Sequence, residues 1–258
     1  MQFYLYTANQ TDNPKVKLLA KDISNFLWSN ECTVTQDILK ADIILSIGGD
    51  GTFLSCWHYI YSNKSINTPI FGINGGRLGY LTEATYYDWK DMLLNIINKQ
   101  YTIVNRPILN AKTDFKLIFP AINDVVIRSK SCSDFVMSVN DNEIIQYRGD
   151  GIIVSTPMGS TGYALSAGGS LIDPNSNIIE IQGLAPHTLA NRPILFDYNN
   201  VKSIKILTDE RWECGVYVDG KMVGKGKVEI KPSNEFMKIA KLDNQKFEKT
   251  IKNVFGSI

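Results

Sequence analysis

The sequence predicts two domains, an N-terminal α/β domain on a parallel sheet and a C-terminal all-β domain. Strand-like and helix-like patterns alternate through the first hundred residues. Beyond them the apolar period shifts to two, and Gly, Asn, Asp and Pro break the chain into short runs. The 258 residues suffice for one large or two modest domains with a real core. The expected division is 1–100 for the α/β domain and 101–240 for the β domain, leaving 241–258 as a closing helix or tail.

Phe3 to Thr7 reads as the first strand. Pro14 opens a helix at its first turn, and Val16, Leu19, Ile23, Phe26 and Leu27 follow at helical spacing. Asp42 to Ile47 is a nearly pure apolar run ending in Gly48-Gly49, the pattern of a parallel strand buried on both faces. A helix is expected from Thr52 to about Tyr61, and Pro69 to Ile73 is a further short strand entering a glycine-rich turn. Thr85 and Asp88 have the spacing of a capping box, with Trp89, Leu93, Ile96 and Ile97 as the apolar stripe behind it.

In the second half, Phe135, Met137 and Val139 alternate with Val136, Ser138 and Asn140 ahead of Asn140-Asp141-Asn142, which is hairpin grammar. Further strands are expected at Ala121 to Ile127, Gly151 to Thr156, Ile178 to Ile181, Ser203 to Leu207, Cys214 to Val218 and Val228 to Ile230. Ile144 to Tyr147 alternates so that one face is free to pack against a second chain. The tail, with Phe247, Ile251 and Val254 at helical spacing, predicts a closing helix.

Composition narrows the function classes. Lys plus Arg number 27 against 26 for Asp plus Glu, a formal charge of +1, whereas a chain that neutralises many phosphates is far more basic. No nucleic-acid partner is expected. Cys32, Cys56, Cys132 and Cys214 lie far apart without a C-x-x-C pair and only His58 and His187 are present, so no Cys/His zinc site has a workable spacing. Reduced thiols and a cytoplasmic setting follow, with neither a signal-peptide pattern nor the ~20-residue apolar run of a membrane span.

Three stretches carry chemistry. Ser46-Ile47-Gly48-Gly49-Asp50-Gly51-Thr52 follows a buried strand and precedes a helix, so Gly48, Gly49, Gly51 and Thr52 can bring backbone N–H groups onto a phosphate. Asp50 gains nothing beside anionic oxygens unless it holds a metal or takes a proton from an attacking hydroxyl; the plain alternative is a helix-capping Asp in a tight turn. The stretch is neither G-x-G-x-x-G nor a P-loop. Asn74-Gly75-Gly76-Arg77-Leu78-Gly79-Tyr80-Leu81 forms a second turn at the carboxyl end of its strand, where ligands collect on parallel sheets; Arg77 either meets phosphate or is a solvated surface residue.

Gly149 to Gly169, rich in small hydroxyls and glycines, reads as a binding wall in which Tyr163 offers a face to a flat ring, or as plain turns between strands. Asn123-Asp124 suit the mouth of a strand, accepting from ribose hydroxyls, or an ordinary turn.

With these motifs, and with Pro186-His187-Thr188-Leu189 followed by Arg192-Pro193, the chain closely resembles the NAD kinase family along nearly its whole length. Gly-Gly-Asp-Gly-Thr alone is shared with phosphofructokinases and with diacylglycerol or sphingosine kinases; the whole ordered set is far more specific. The resemblance implies a Rossmann-like N-terminal domain with a phosphofructokinase-like glycine-aspartate loop, a C-terminal β domain, and transfer of the ATP γ-phosphate to the adenosine 2'-hydroxyl of NAD, giving NADP. It also implies a divalent metal, with Mg²⁺ expected and its ligands unassigned, and a homo-oligomer, with a tetramer favoured.

Carried over by position, the resemblance makes Asp50 the residue that accepts the 2'-hydroxyl proton, with Gly51 beside it. Asn123 and Asp124 become ribose and adenine contacts, and Arg148 and Asp150 approach the nicotinamide half. Thr161, Gly162, Tyr163, Ala164, Leu165 and Ser166 match the adenine-binding stretch, Ala185 touches ligand, and Lys221 is a polar contact; His187 and Arg192 are structural supports. Two rivals stand beside this reading. A lipid or sugar kinase sharing the loop leaves Asn123-Asp124 and the 161–166 wall unexplained, and a non-catalytic NAD(P) sensor has no need of Asp50 in its loop.

Overall fold

A computed structural model describes residues 1–8, 13–76, 79–113, 117–187, 192–208, 213–242 and 251–252. The chain divides into two compact units, Met1–Asn105 with Met237–Ile258, and Arg106–Phe236. The strands are β1 (Gln2–Tyr6), β2 (Thr33–Val34), β3 (Ile43–Ile47), β4 (Ile70–Ile73), β5 (Thr102–Thr113), β6 (Ile118–Ala121) and β7 (Asp124–Val139), then β8 (Asn142–Ser155), β9 (Ile178–Leu184), β10 (Ile194–Asp197), β11 (Ile204–Thr208), β12 (Cys214–Val218), β13 (Lys221–Lys225) and β14 (Val228–Lys241). The α-helices are α1 (Pro14–Ser29), α2 (Asp50–Ser62), α3 (Trp89–Ile97) and the short α4 (Tyr163–Ser166).

In the first unit β2, β1, β3 and β4 pair in that order, all parallel, and Ile239 of β14 extends the sheet by pairing in parallel with Ile70. Every residue of β3 is buried, as its nearly pure apolar run, interrupted only by Ser46, requires. α1 starts where Asn13 caps it, its side chain accepting from the Lys15 N–H at 3.0 Å, with Pro14 supplying the first turn. Val16, Leu19, Ile23 and Leu27 are buried by the helix, whereas Phe26 lies at its flank, edge-on to Trp89 with centroids 5.3 Å apart. Before α3, the Asp88 carboxylate reaches back to the Thr85 N–H at 2.6 Å and to the Thr85 hydroxyl at 2.8 Å.

The second unit is built on antiparallel pairs. β7 and β8 form a long hairpin closed by Asn140 and Asp141, whose φ values of 52° and 65° are those of the turn that matches strand twist. β9 and then β10 continue outward from β8, while β7 pairs with β12 along its first half and with β11 along its second. Phe135, Met137 and Val139 point into the core with Val125, Ile127, Ile152 and Val154, each such side chain contributing about 1.5–3 kcal/mol.

One expectation changes. The strand expected from Ala121 to Ile127 is interrupted at Ile122-Asn123, and β7 starts at Asp124. On β8 the free face carries Ile144 and Gln146, both exposed, while Ile145 packs against the core and Tyr147 is buried. Ile251 and Lys252 are helical; Phe247 and Val254 of the expected closing helix lie outside the described residues.

Candidate functional site

In the first unit the two glycine turns leave the carboxyl ends of neighbouring strands β3 and β4, which pair from Ile44↔Ile70 to Ile47↔Ile73. The Gly48 N–H extends this contact by donating to the Ile73 carbonyl at 2.9 Å. Gly48 has φ 151°, and a Cβ there would strike the Thr52 side chain, so only glycine fits. Gly49 caps α2 and Asp50 is its first residue. The Asp50 carboxylate crosses to the second turn, Oδ2 accepting from the Tyr80 N–H and Oδ1 from the Leu81 N–H, each at 3.0 Å. The capping alternative is therefore replaced by a tie between the two turns. A Cβ on Gly49 or Gly51 would meet nothing within 4 Å, so the outer side of the first turn is open. Arg77 and Leu78 lie outside the described residues.

In the second unit Asn123 and Asp124 stand at the head of β7. The Asn123 carbonyl accepts from the Thr156 N–H at 2.9 Å, and Gly159 sits so close to it that a Cβ could not fit. Side-chain atom Oδ1 of Asn123 is buried with no hydrogen-bond partner among the described residues. Asp124 is buried, and burial together with the nearby negative charge of Asp219 pushes its carboxyl up to about 7.

Asp150, Tyr163, Ser166 and Ala185 surround an open cavity of about 340 Å³ in this unit. Arg128, which the sequence reading did not single out, joins them, its guanidinium carbon 4.6 Å from the centre of the Tyr217 ring. A cation and a carboxylate thus border one cavity beside an aromatic face. Ala185 has φ 43°, a conformation rarely adopted by residues with a side chain.

One turn of helix sorts the 161–166 stretch. Tyr163 and Ser166, three apart, face the cavity, and Ala164 between them packs into a small core with Val126, Ile153 and Leu184. Thr161, Gly162 and Leu165 are half-buried and do not border the cavity. Strand β9 holds this segment from below. The buried Glu180 carboxylate accepts from the Ser170 N–H at 2.5 Å, and the Gln182 amide donates to the Ala167 carbonyl at 3.0 Å. Burial raises the Glu180 carboxyl above its ordinary range.

Arg148 lies away from the cavity, exposed and 3.8 Å from Asp134, while its carbonyl accepts from the His187 N–H at 3.0 Å. Lys221 is exposed at the start of β13. Thr188 and Leu189 lie outside the described residues, and among the described residues no three His, Cys, Asp or Glu gather into a metal cluster.

Sequence and structure comparisons show what the chain is similar to. Residues 5–101 match the family model of the ATP-NAD kinase N-terminal domain, and residues 122–242 that of the ATP-NAD kinase C-terminal domain. An NAD kinase of Clostridium perfringens is 34% identical over 226 residues, covering 84% of this chain and 81% of its own length. One from Chlorobium phaeobacteroides is 37% identical over 217 residues, covering 80% and 74%. The crystal structure of an NAD kinase from Archaeoglobus fulgidus in complex with ATP superposes with a TM-score of 0.81 at 27% identity, covering 99% of this chain and 98% of that one.

Proposed function

The chain belongs to the NAD kinase family and is an NAD kinase, a phosphotransferase taking ATP and NAD, and from that premise we propose how its residues divide the reaction. The carrying observation is the position of Asp50, a carboxylate fixed at the first turn of α2 by two backbone N–H groups, beside an open glycine turn. Each of its oxygens keeps a further lone pair. Asp50 accepts the proton of the adenosine 2'-hydroxyl as that oxygen bonds to the γ-phosphorus and the bond to the ADP oxygen breaks. The N–H groups of Gly49 and Gly51, at the positive end of α2, hold phosphate oxygens through the transfer, whereas those of Gly48 and Thr52, also expected on the phosphate, already donate to the Ile73 and Gly49 carbonyls at 2.9 Å each.

Asn123 and Asp124 take the adenosine, Asn123 through its unpartnered Oδ1. The cavity bordered by Asp150, Tyr163, Ser166 and Ala185 takes a nucleoside of NAD, with the Tyr163 ring offering a face for a flat base.

A divalent ion would be held chiefly by the substrate phosphates. Such an ion would neutralise charge on the triphosphate, leaving Asp50 to the hydroxyl proton.

The protein is cytoplasmic and a homo-oligomer, with a tetramer favoured, in this proposal; the apolar Ile144 exposed on β8 supports the latter, and sedimentation equilibrium reads it directly. Among the described residues no helix is long and apolar enough to cross a membrane. A lipid or sugar kinase would leave the match over 122–242 without a counterpart. The test is incubation with NAD, ATP and Mg²⁺ and a coupled assay specific for NADP. NADP should accumulate, stop on chelation and resume when Mg²⁺ is restored; a folded sample making none with any metal or donor contradicts the reading.

A further inference from the structure

We propose that Asp219 is a positioning residue for NAD, holding the backbone of Ile122-Asn123-Asp124 so that the Asn123 and Asp124 side chains meet the substrate; this rests on their assignment to NAD above. Asp219 opens the turn between β12 and β13, with φ 45° followed by 81° at Gly220. An aspartate in such a turn ordinarily bonds its own backbone two residues on. The Asp219 carboxylate instead reaches a segment almost a hundred residues away. Oδ2 accepts from the Ile122 N–H at 3.1 Å, and Oδ1 accepts from the N–H groups of Asn123 at 2.9 Å and Asp124 at 3.1 Å. Three successive N–H groups converging on one anion form a nest, and the bond is returned when the Asp219 N–H donates to the Asp124 carbonyl at 3.0 Å.

The carbonyl side of the same segment is fixed separately, because the Thr156 hydroxyl donates to Ile122 and the Thr156 N–H to Asn123. With both faces of its backbone held, Asn123 retains only its side chain for other work, and that side chain carries the unpartnered Oδ1. Asp219 touches none of the reacting atoms in this scheme. It acts through the segment it holds.

Asp219→Ala removes the acceptor for three buried N–H groups, while Asp219→Asn keeps an oxygen for two of them and sets an amide donor against the third. We expect Asp219→Ala to raise the KM for NAD roughly tenfold or more, with kcat at saturating NAD and the KM for ATP each within about threefold of wild type. Asp219→Asn should fall between the two. In amide exchange the Asn123 and Asp124 N–H groups should lose protection first. A folded Asp219→Ala enzyme with the KM for NAD unchanged overturns the proposal, as does an equal rise in both KM values, which signals general loosening. Should the Ala variant not fold, Asp219→Asn decides alone, a raised KM for NAD supporting the proposal and an unchanged one overturning it. Asn123→Ala separates the two layers. If it raises the KM for NAD and Asp219→Ala does not, positioning fails alone; if neither does, the assignment of this segment to NAD fails with it.

Discussion

Gly79 lies against Asp50 so closely that a Cβ at position 79 would strike the Asp50 carboxylate, which the next two residues hold by their N–H groups at 3.0 Å each. The absence of a side chain at one turn therefore sets where the carboxylate of the other can stand.

Gly79→Ala leaves the charge of Asp50 intact but forces its short side chain aside, breaking one or both of those bonds. Displacement of a reacting group by about an ångström costs on the order of 10²-fold in rate, so kcat should fall roughly ten- to a hundredfold. Steady-state kinetics with a parallel thermal melt checks this; a folded variant with wild-type kcat means that Asp50 does not need this seat.

Asp124 gives the protein a pH signature. Its carboxyl is raised to about 7, first by burial and then by Asp219, so the folded chain binds a proton that the unfolded chain releases near its ordinary value of 3.8. Stability from this group is full below the unfolded value and is lost as pH rises through about 7. Asp124→Asn abolishes that loss. Wild type should thus lose a few kcal/mol relative to the variant between pH 5 and pH 8.5, read by urea denaturation at each pH. Parallel pH profiles for the two proteins would refute the assignment.

The parallel sheet was legible because its signals are local: four apolar residues around Ser46 make β3, and Asn13-Pro14 starts α1. The Asn140-Asp141 turn was legible for the same reason, since two residues with positive φ close the hairpin. Asp219 and Arg128 were not, because their partners are set by strand pairing rather than spacing. Asp219-Gly220 reads as a turn in any sequence, and only the register of β12 on β7 brings it to Ile122. The tie from Asp50 to Leu81 likewise depends on β3 and β4 lying side by side. Ala164 falls in a run that reads as a wall, yet one helical turn points it away from Tyr163 and Ser166 into the core.

The central claim is that Asp50 takes the proton of the attacking hydroxyl. Asp50→Asn removes that base and replaces one of the two acceptors for Tyr80 and Leu81, so its loss should exceed that of Gly79→Ala. The most direct measurement is NADP formation by Asp50→Asn at saturating NAD and ATP, paired with calorimetric titration of NAD. The account predicts a fall in kcat on the order of 10²- to 10⁴-fold with NAD affinity within about fivefold of wild type. A variant that binds NAD normally and turns over within about threefold of wild type would contradict it.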